Sequence, residues 1–396
     1  MEIKRKICSL ILGGIIFTSC QSETSTKSDA PAVEEKVDSV ENVPTKEVVF
    51  TRDSSVDFSA RYISGLAQLT KNSFSDLEDE AWQEIAKGFS EAWDKLEKER
   101  LSVMRNWEKE TFSTWKNDSL TVFYPFSGPD FLHADVLYPK ANRFVLLALE
   151  PIVEMPVIPE LTQEKRNVFL KSLDFALRDI FQKSYFITTH MQEDFRGDQA
   201  KGVLPVFSFF LTRSGYEILE LDAIGIDTNG VVQDTLLKGT AGPFVKGVRF
   251  RFRHLESDTL KELFYFSANI SDKGLAHLPG MMKYLETLGE VNTFVKSASY
   301  MPHYNTFSRI RNFMLKNSRT IFQDDTGLPY EDVIIHKEWK IRLIGEYTKP
   351  VKDFGDYVFQ KDLDSAYRME KNLIKLPFHL GYHWNTKTQS HQFYYR

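Results

Sequence analysis

Residues 120–150 read LTVFYPFSGPDFLHADVLYPKANRFVLLALE. β-forming residues cluster at Thr121–Tyr124 and again at Arg143–Leu149, each a run of strand length. Between them Pro125, Gly128 and Pro129 fix a rigid turn. The stretch reads as two strands around a rigid loop, and loops held at strand ends often carry function. Ser127, Asp130, His133 and Asp135 are its candidate ligand contacts. The spacing is not Gly-x-Ser-x-Gly, so a hydrolase elbow gains no support. A structural turn with its own side-chain hydrogen bonds explains the same residues equally well.

Hairpin signals recur downstream. Gly215–Asp227 alternates toward a strand, and Asn229–Gly230 is a hairpin turn into Val231 and Val232. Val245–His254 alternates Val and Phe with Arg and Lys, and Leu263–Ile270 supplies a partner strand. Helical spacing marks other segments. From Ser75, which forms a capping box with Glu78, the residues Trp82, Ile85, Phe89, Trp93, Leu96 and Met104 recur on one face, over a helix reaching Phe112 with a possible break. At that spacing the tryptophans belong to a core rather than to a sugar platform. Thr162–Lys183 carries a second stripe, Phe169, Leu173, Ala176, Leu177 and Ile180. Hairpin signals outnumber strand–helix–strand alternation. The expected fold is therefore α+β: a mostly antiparallel sheet with packed helices, on a disordered N-terminal tether. The proline-punctuated connector near 151–160 is the expected seam if the body has two parts.

Residues 294–330, FVKSASYMPHYNTFSRIRNFMLKNSRTIFQDDTGLPY, hold the densest chemistry. Phe307, Ile310 and Met314 form an apolar helical stripe, with Arg309, Asn312 and Lys316 opposite. Thr320–Phe322 suits a buried strand and leads into Asp324, Asp325, Thr326 and Gly327. The candidate catalytic carboxylates are Asp324 and Asp325, with His303 as a partner for proton transfer or metal binding and Asp130 as a further helper. Against this, paired aspartates before glycine are ordinary turn chemistry. Asp-Thr-Gly is the tripeptide of aspartic proteases, but those enzymes share one proton between two such loops, and this chain has a single copy. Ser113–Lys116 matches Ser-x-x-Lys without its companion motifs. His379 and His383 stand four apart, yet Pro377 and Gly381 argue for extended chain there. No metal site and no cofactor is expected.

The N-terminus reads MEIKRKICSLILGGIIFTSC: a basic start, then an apolar run from Ile7 to Phe17 too short for a comfortable span. Phe17–Thr18–Ser19–Cys20 resembles the lipobox of bacterial lipoproteins, with Phe17 where Leu is usual. The resemblance implies cleavage before Cys20 and lipidation (diacyl, palmitate-type) of that cysteine. The two cysteines are Cys8 and Cys20, so a chain cut there has no other thiol, which excludes cysteine catalysis and Cys-ligated zinc in its body. The net charge is −5; Lys4, Arg5 and Lys6 against Glu2 give +2 for residues 1–20, which leaves −7 for the rest. No basic stripe suggests nucleic acid. Residues 21–47 lack aromatics and read as a disordered linker, followed by a globular body over 48–396.

The blocks YPFSGPD (124–130), SRTIFQDDTGLPY (318–330) and LPFHLGY (376–382) resemble landmarks of a family of bacterial envelope proteins of unknown function. That resemblance implies no activity, only that the three places belong together. The expected protein is a membrane-anchored envelope lipoprotein, held by its N-terminal lipid at the outer membrane or cell surface (periplasmic or outward-facing) rather than the inner membrane. Its expected role is a non-catalytic ligand-binding or assembly module for an envelope polymer or protein partner. The alternative is a hydrolase of envelope glycan or peptide using Asp324 and Asp325.

Overall fold

A computed structural model describes residues 54–116, 119–186, 202–234, 244–257, 259–383 and 389–396. The expected signal, Cys20 and the expected linker to residue 47 lie outside the described residues. Helix α1 (Ser54–Ile63) is followed by α2 (Glu80–Leu96), a π-helical turn (Glu97–Leu101) and α3 (Ser102–Glu110). The helix starts at Asp79, whose side chain accepts the Trp82 amide, rather than at the Ser75 capping box. The π turn re-phases the apolar stripe, so Leu96, Leu101 and Met104 all stay buried. Trp82 and Trp93 are core residues, as their spacing predicts.

The sheet has ten strands: β1 (Thr121–Pro125), β2 (Arg143–Ala148), β3 (Tyr216–Ile226), β4 (Val232–Gln233), β5 (Val245–His254), β6 (Leu260–Ser267), β7 (Val291–Val295), β8 (Ser318–Asp324), β9 (Lys340–Gly345) and β10 (Ser390–Tyr395). Their order is β4-β3-β5-β6-β2-β1-β7-β8-β10-β9. Both flanks are antiparallel, the β4-β3-β5-β6 flank as the hairpin signals require, with the turn at Gly230 closing onto Asp227. The centre, β6-β2-β1-β7-β8, is parallel. The expectation of a mostly antiparallel α+β sheet is therefore corrected to a mixed α/β sheet.

The reason lies in residues 120–150. Both strands form, but α4 (Phe131–Leu137) lies between them and carries the chain back, so β1 and β2 run parallel. Every residue of that helix is buried. A helix enclosed on all sides has no polar face and so no 3.6-residue signal to read.

Helices cover both sheet faces. On one side Tyr124, Phe294, Phe322 and Phe393 pack with α4, α5 (Gln163–Lys183) and α6 (Leu204–Arg213). On the other, Phe123, Val145, Val295 and Ile321 pack with α7 (Asp272–His277), α8 (Pro279–Thr287) and α9 (Ser308–Asn317). Strands from before and after residues 151–160 pair within this sheet. Among the described residues, no helix is long and apolar enough to cross a membrane.

Candidate functional site at the sheet switch point

The chain leaves β1 through α4 on one face to reach β2, and leaves β7 through α9 on the other face to reach β8. Outgoing connections that diverge between adjacent parallel strands open a crevice beyond the strands' C-terminal ends, where α/β sheets commonly bind ligands. A cavity of about 570 Å³ lies there. The ends of β2 and β6 supply Leu147, Ala148, Leu149, Glu150, Ala268, Asn269 and Ile270. The segment after β1 supplies Phe126, Ser127 and Gly128, and the segment after β7 supplies Lys296 to Ser299. Tyr185, Phe354 and Tyr382 line it too; Tyr382 packs on both other rings and its hydroxyl meets Ser299 Oγ at 2.7 Å.

Sheet register explains the polar groups. Phe294, Phe322 and Phe393 stand side by side on β7, β8 and β10 as an aromatic floor. One pleat nearer the strand ends, on the same face, come Lys296, Asp324 and His391, the last two paired directly across strands. Three ionisable groups thus share one buried row.

Lys296 is 3% exposed. Its ammonium bonds Asp130 Oδ2 at 2.7 Å and donates to the Ser184 carbonyl. Asp130 caps the start of α4 and also accepts from Tyr124 OH at 3.0 Å and from His133 Nδ1 at 2.8 Å. Burial works against the Asp130 carboxylate, but the charges and hydrogen bonds of His133 and Lys296 prevail and hold its carboxyl at about 2. Burial brings His133 down to about 4 despite Asp130, so the imidazole is neutral with its proton on Nδ1. His133 Nε2 has no hydrogen-bond partner among the described residues. Burial also lowers the Lys296 amine, with Asp130 opposing.

Asp324 and Asp325 are both fully buried. Asp324 Oδ2 accepts the Ser297 amide at 2.8 Å, and Oδ1 accepts the Thr326 amide and hydroxyl at 3.0 and 2.5 Å. Burial and then the Asp325 charge push its carboxyl up to about 6. Asp325 bonds His383 Nε2 at 2.8 Å and Tyr300 OH at 2.5 Å. For His383 burial opposes the cation, but the bond to Asp325 and the nearby charge win, so its pKa is raised. His303 packs edge-on against Tyr300, and burial lowers it to about 4. Neither aspartate, nor His303, lines the cavity. Asp324 instead holds the backbone of its wall at Ser297.

The three sequence blocks meet at this place. Asp130 of the first is paired with Lys296. Asp324 of the second lies beside Lys296 and Ser297. Gly381 of the third packs so closely that a Cβ there would lie 2.8 Å from Asp324 Oδ2, 2.9 Å from Ser297 Oγ and 3.1 Å from Lys296 Cγ. Asp135 does not join them. It sits with Lys261 at 3.1 Å and Tyr216 OH at 2.7 Å, beside a second cavity of about 670 Å³. Lys296, Ser297, Glu150 and Tyr382 were not candidates from sequence. The available signal for Lys296 was its position two residues after Phe294, matching Asp324 after Phe322.

Backbone strain gathers here as well. The described non-glycine residues with positive φ are Phe126 (59°), Ser184 (63°), Ser297 (56°), Ser299 (55°) and Tyr300 (55°). Three line the cavity, Ser184 holds Lys296, and Tyr300 holds Asp325. Each costs roughly 1 kcal/mol or more, and such residues cluster at ligand clamps and active sites. Fold and site together define a mixed α/β protein with a switch-point cavity. No protein-family model, curated protein or solved structure matches the chain at a significant level.

Proposed function

We propose that the body binds a small, largely apolar ligand in the switch-point cavity, and that the chain is a lipoprotein tethered to the envelope through Cys20. The observation that carries the first part is the cavity itself: about 570 Å³ at the C-terminal edge of a parallel sheet, with aliphatic and aromatic walls and a few converging polar groups. The hydrogen-bond economy favours binding over turnover by Asp324 and Asp325. Both carboxylates are enclosed, and their oxygens are occupied by Ser297, Thr326, Tyr300 and His383. Carboxylate hydrolysis needs both groups at the scissile bond.

One observation favours the hydrolase reading. Asp324, raised to about 6, bonds the backbone of Ser297 in the cavity wall, and a carboxyl in that range suits a general acid. The two readings separate on Asp324→Asn. Loss of turnover with affinity kept supports the hydrolase; weakened affinity without any turnover in the parent supports the binding module.

The first test is a thermal-shift screen of the full chain in detergent against apolar metabolites, muropeptides, glycans and short peptides. A ligand at a hundred times its Kd adds about 2.7 kcal/mol of stability. Leu149, 53% exposed at the cavity, tolerates a larger ring, so Leu149→Trp should abolish the shift. A ligand that stabilises both proteins equally binds elsewhere. For the anchor, Cys20→Ala should stop incorporation of labelled palmitate and release the chain from membranes.

A further inference from the structure

We propose that Lys296 captures the carbonyl group of an aldehyde or ketone as a protonated imine inside this cavity. The inference rests on the cavity reading above and names its ligand class. Lys296 lines the cavity at the end of β7, beside the switch point. Its counterion is built rather than incidental: Asp130 is held by Tyr124 OH, His133 Nδ1 and the His133 amide as well as by the ammonium. A buried ion pair between α4 and β7 is a costly structural tie, since apolar replacements of such pairs are often as stable. Next to it, Ser297 is a lining residue of the same cavity, and its buried Oγ, beside Gly381, has no hydrogen-bond partner among the described residues.

Charge conservation makes the chemistry fit the burial. An ammonium and a carbonyl give an iminium and water with the same net charge, so Asp130 faces a cation both before capture and after it. Asp130 takes one ammonium proton, and the freed amine lone pair forms the N–C bond while the C=O π pair moves to oxygen. The proton passes from Asp130 to that oxygen. Asp130 then takes a second nitrogen proton and delivers it to the hydroxyl, the C–O bond breaks, water leaves, and the nitrogen lone pair closes the C=N bond. A desolvated lysine in an apolar pocket is the setting in which amines become nucleophilic, and exclusion of water protects the imine from hydrolysis.

The test uses the full chain in detergent with octanal and sodium cyanoborohydride at neutral pH, followed by proteolysis and mass spectrometry. The expected result is a reduced adduct on Lys296 in preference to every exposed lysine, suppressed by excess octanol. Lys296→Arg keeps a cation for Asp130, so it should still be stabilised by octanol while losing the adduct at that peptide. If octanol stabilises the protein but octanal alkylates only exposed lysines, the inference is overturned and the cavity reading stands. If neither compound stabilises the protein and Lys296 stays unmodified, both fall for aliphatic ligands.

Discussion

Gly381→Ala tests whether the 376–382 block is truly keyed into the site. Gly381 has φ +67°, and an added Cβ would lie 2.8 Å from Asp324 Oδ2 and 2.9 Å from Ser297 Oγ. The left-handed backbone alone costs a non-glycine residue about 1–2 kcal/mol. The contacts add an overpacking penalty of about 1–3 kcal/mol, because the Asp324 carboxylate is not free to retreat. Asp324 is held by three hydrogen bonds, and Ser297 is itself left-handed at φ 56°. The expected loss is about 2–5 kcal/mol. Gly289 is the control: φ +66° with nothing within 4 Å of its added Cβ, so Gly289→Ala should lose only the backbone part, about 1–2 kcal/mol. Gly88, exposed in α2 with open space around it, should gain about 0.5–1 kcal/mol as alanine. Equilibrium urea unfolding of the three variants gives the ranking. Equal losses at 381 and 289 would refute the packing argument, because the strain would then be purely local.

Three further outcomes are expected. Asp324 has a folded pKa of about 6 against an ordinary 3.8; its stabilising contribution is full below the lower value and lost as pH rises through the upper one. Asp324→Asn should therefore flatten stability between about pH 4 and 6, and an unchanged profile would show that the carboxyl is not desolvated as described. His383 is also raised, above an ordinary 6.5, so its contribution is present below that pH and fades as pH climbs past the folded value; His383→Gln should erase this alkaline decline, and an imidazole NMR titration at or below 6.5 would count against the Asp325 pair. Lys296→Met strands Asp130 beside neutral partners and should cost about 3–5 kcal/mol, with part recovered by adding Asp130→Asn; a Lys296→Met protein as stable as the parent would mean the ion pair is not formed.

Periodicity located what has two different faces. The stripe Phe169 to Ile180, the alternation of Val245–His254 and the Asn229–Gly230 turn all became the elements they announce. It failed where burial is complete. α4 and α6 are enclosed almost throughout, and β7, VNTFV, buries Asn292 and Thr293 with its apolar residues. A polar residue inside a strand breaks the alternation unless its partner is known, and here the partners are Thr320 and Ser318 on the neighbouring strand, at 2.8 and 2.6 Å. Missing α4 and β7 was enough to turn a parallel centre into an antiparallel expectation.

The site was half legible for a related reason. Asp130 and Asp324 stand out because carboxylates beside glycine and proline are conspicuous in a chain, whereas His383 reads only as part of an extended segment. Lys296 does not stand out, because lysine on a strand usually points to solvent. What distinguishes Lys296 is three-dimensional: the same face as Phe294, under α4, with Asp130 arriving from a turn 166 positions away by number (296 minus 130). A buried cation is intelligible only with its counterion, and sequence does not show which acid that is. The candidate carboxylates Asp324 and Asp325 hold the wall of the cavity through Ser297, Thr326, Tyr300 and His383. The residue they frame is the lysine. On this geometry substitutions at Asp324 and Lys296 should differ in kind. The first should alter how firmly any ligand is held, while the second removes the one lysine among the described residues that line the cavity.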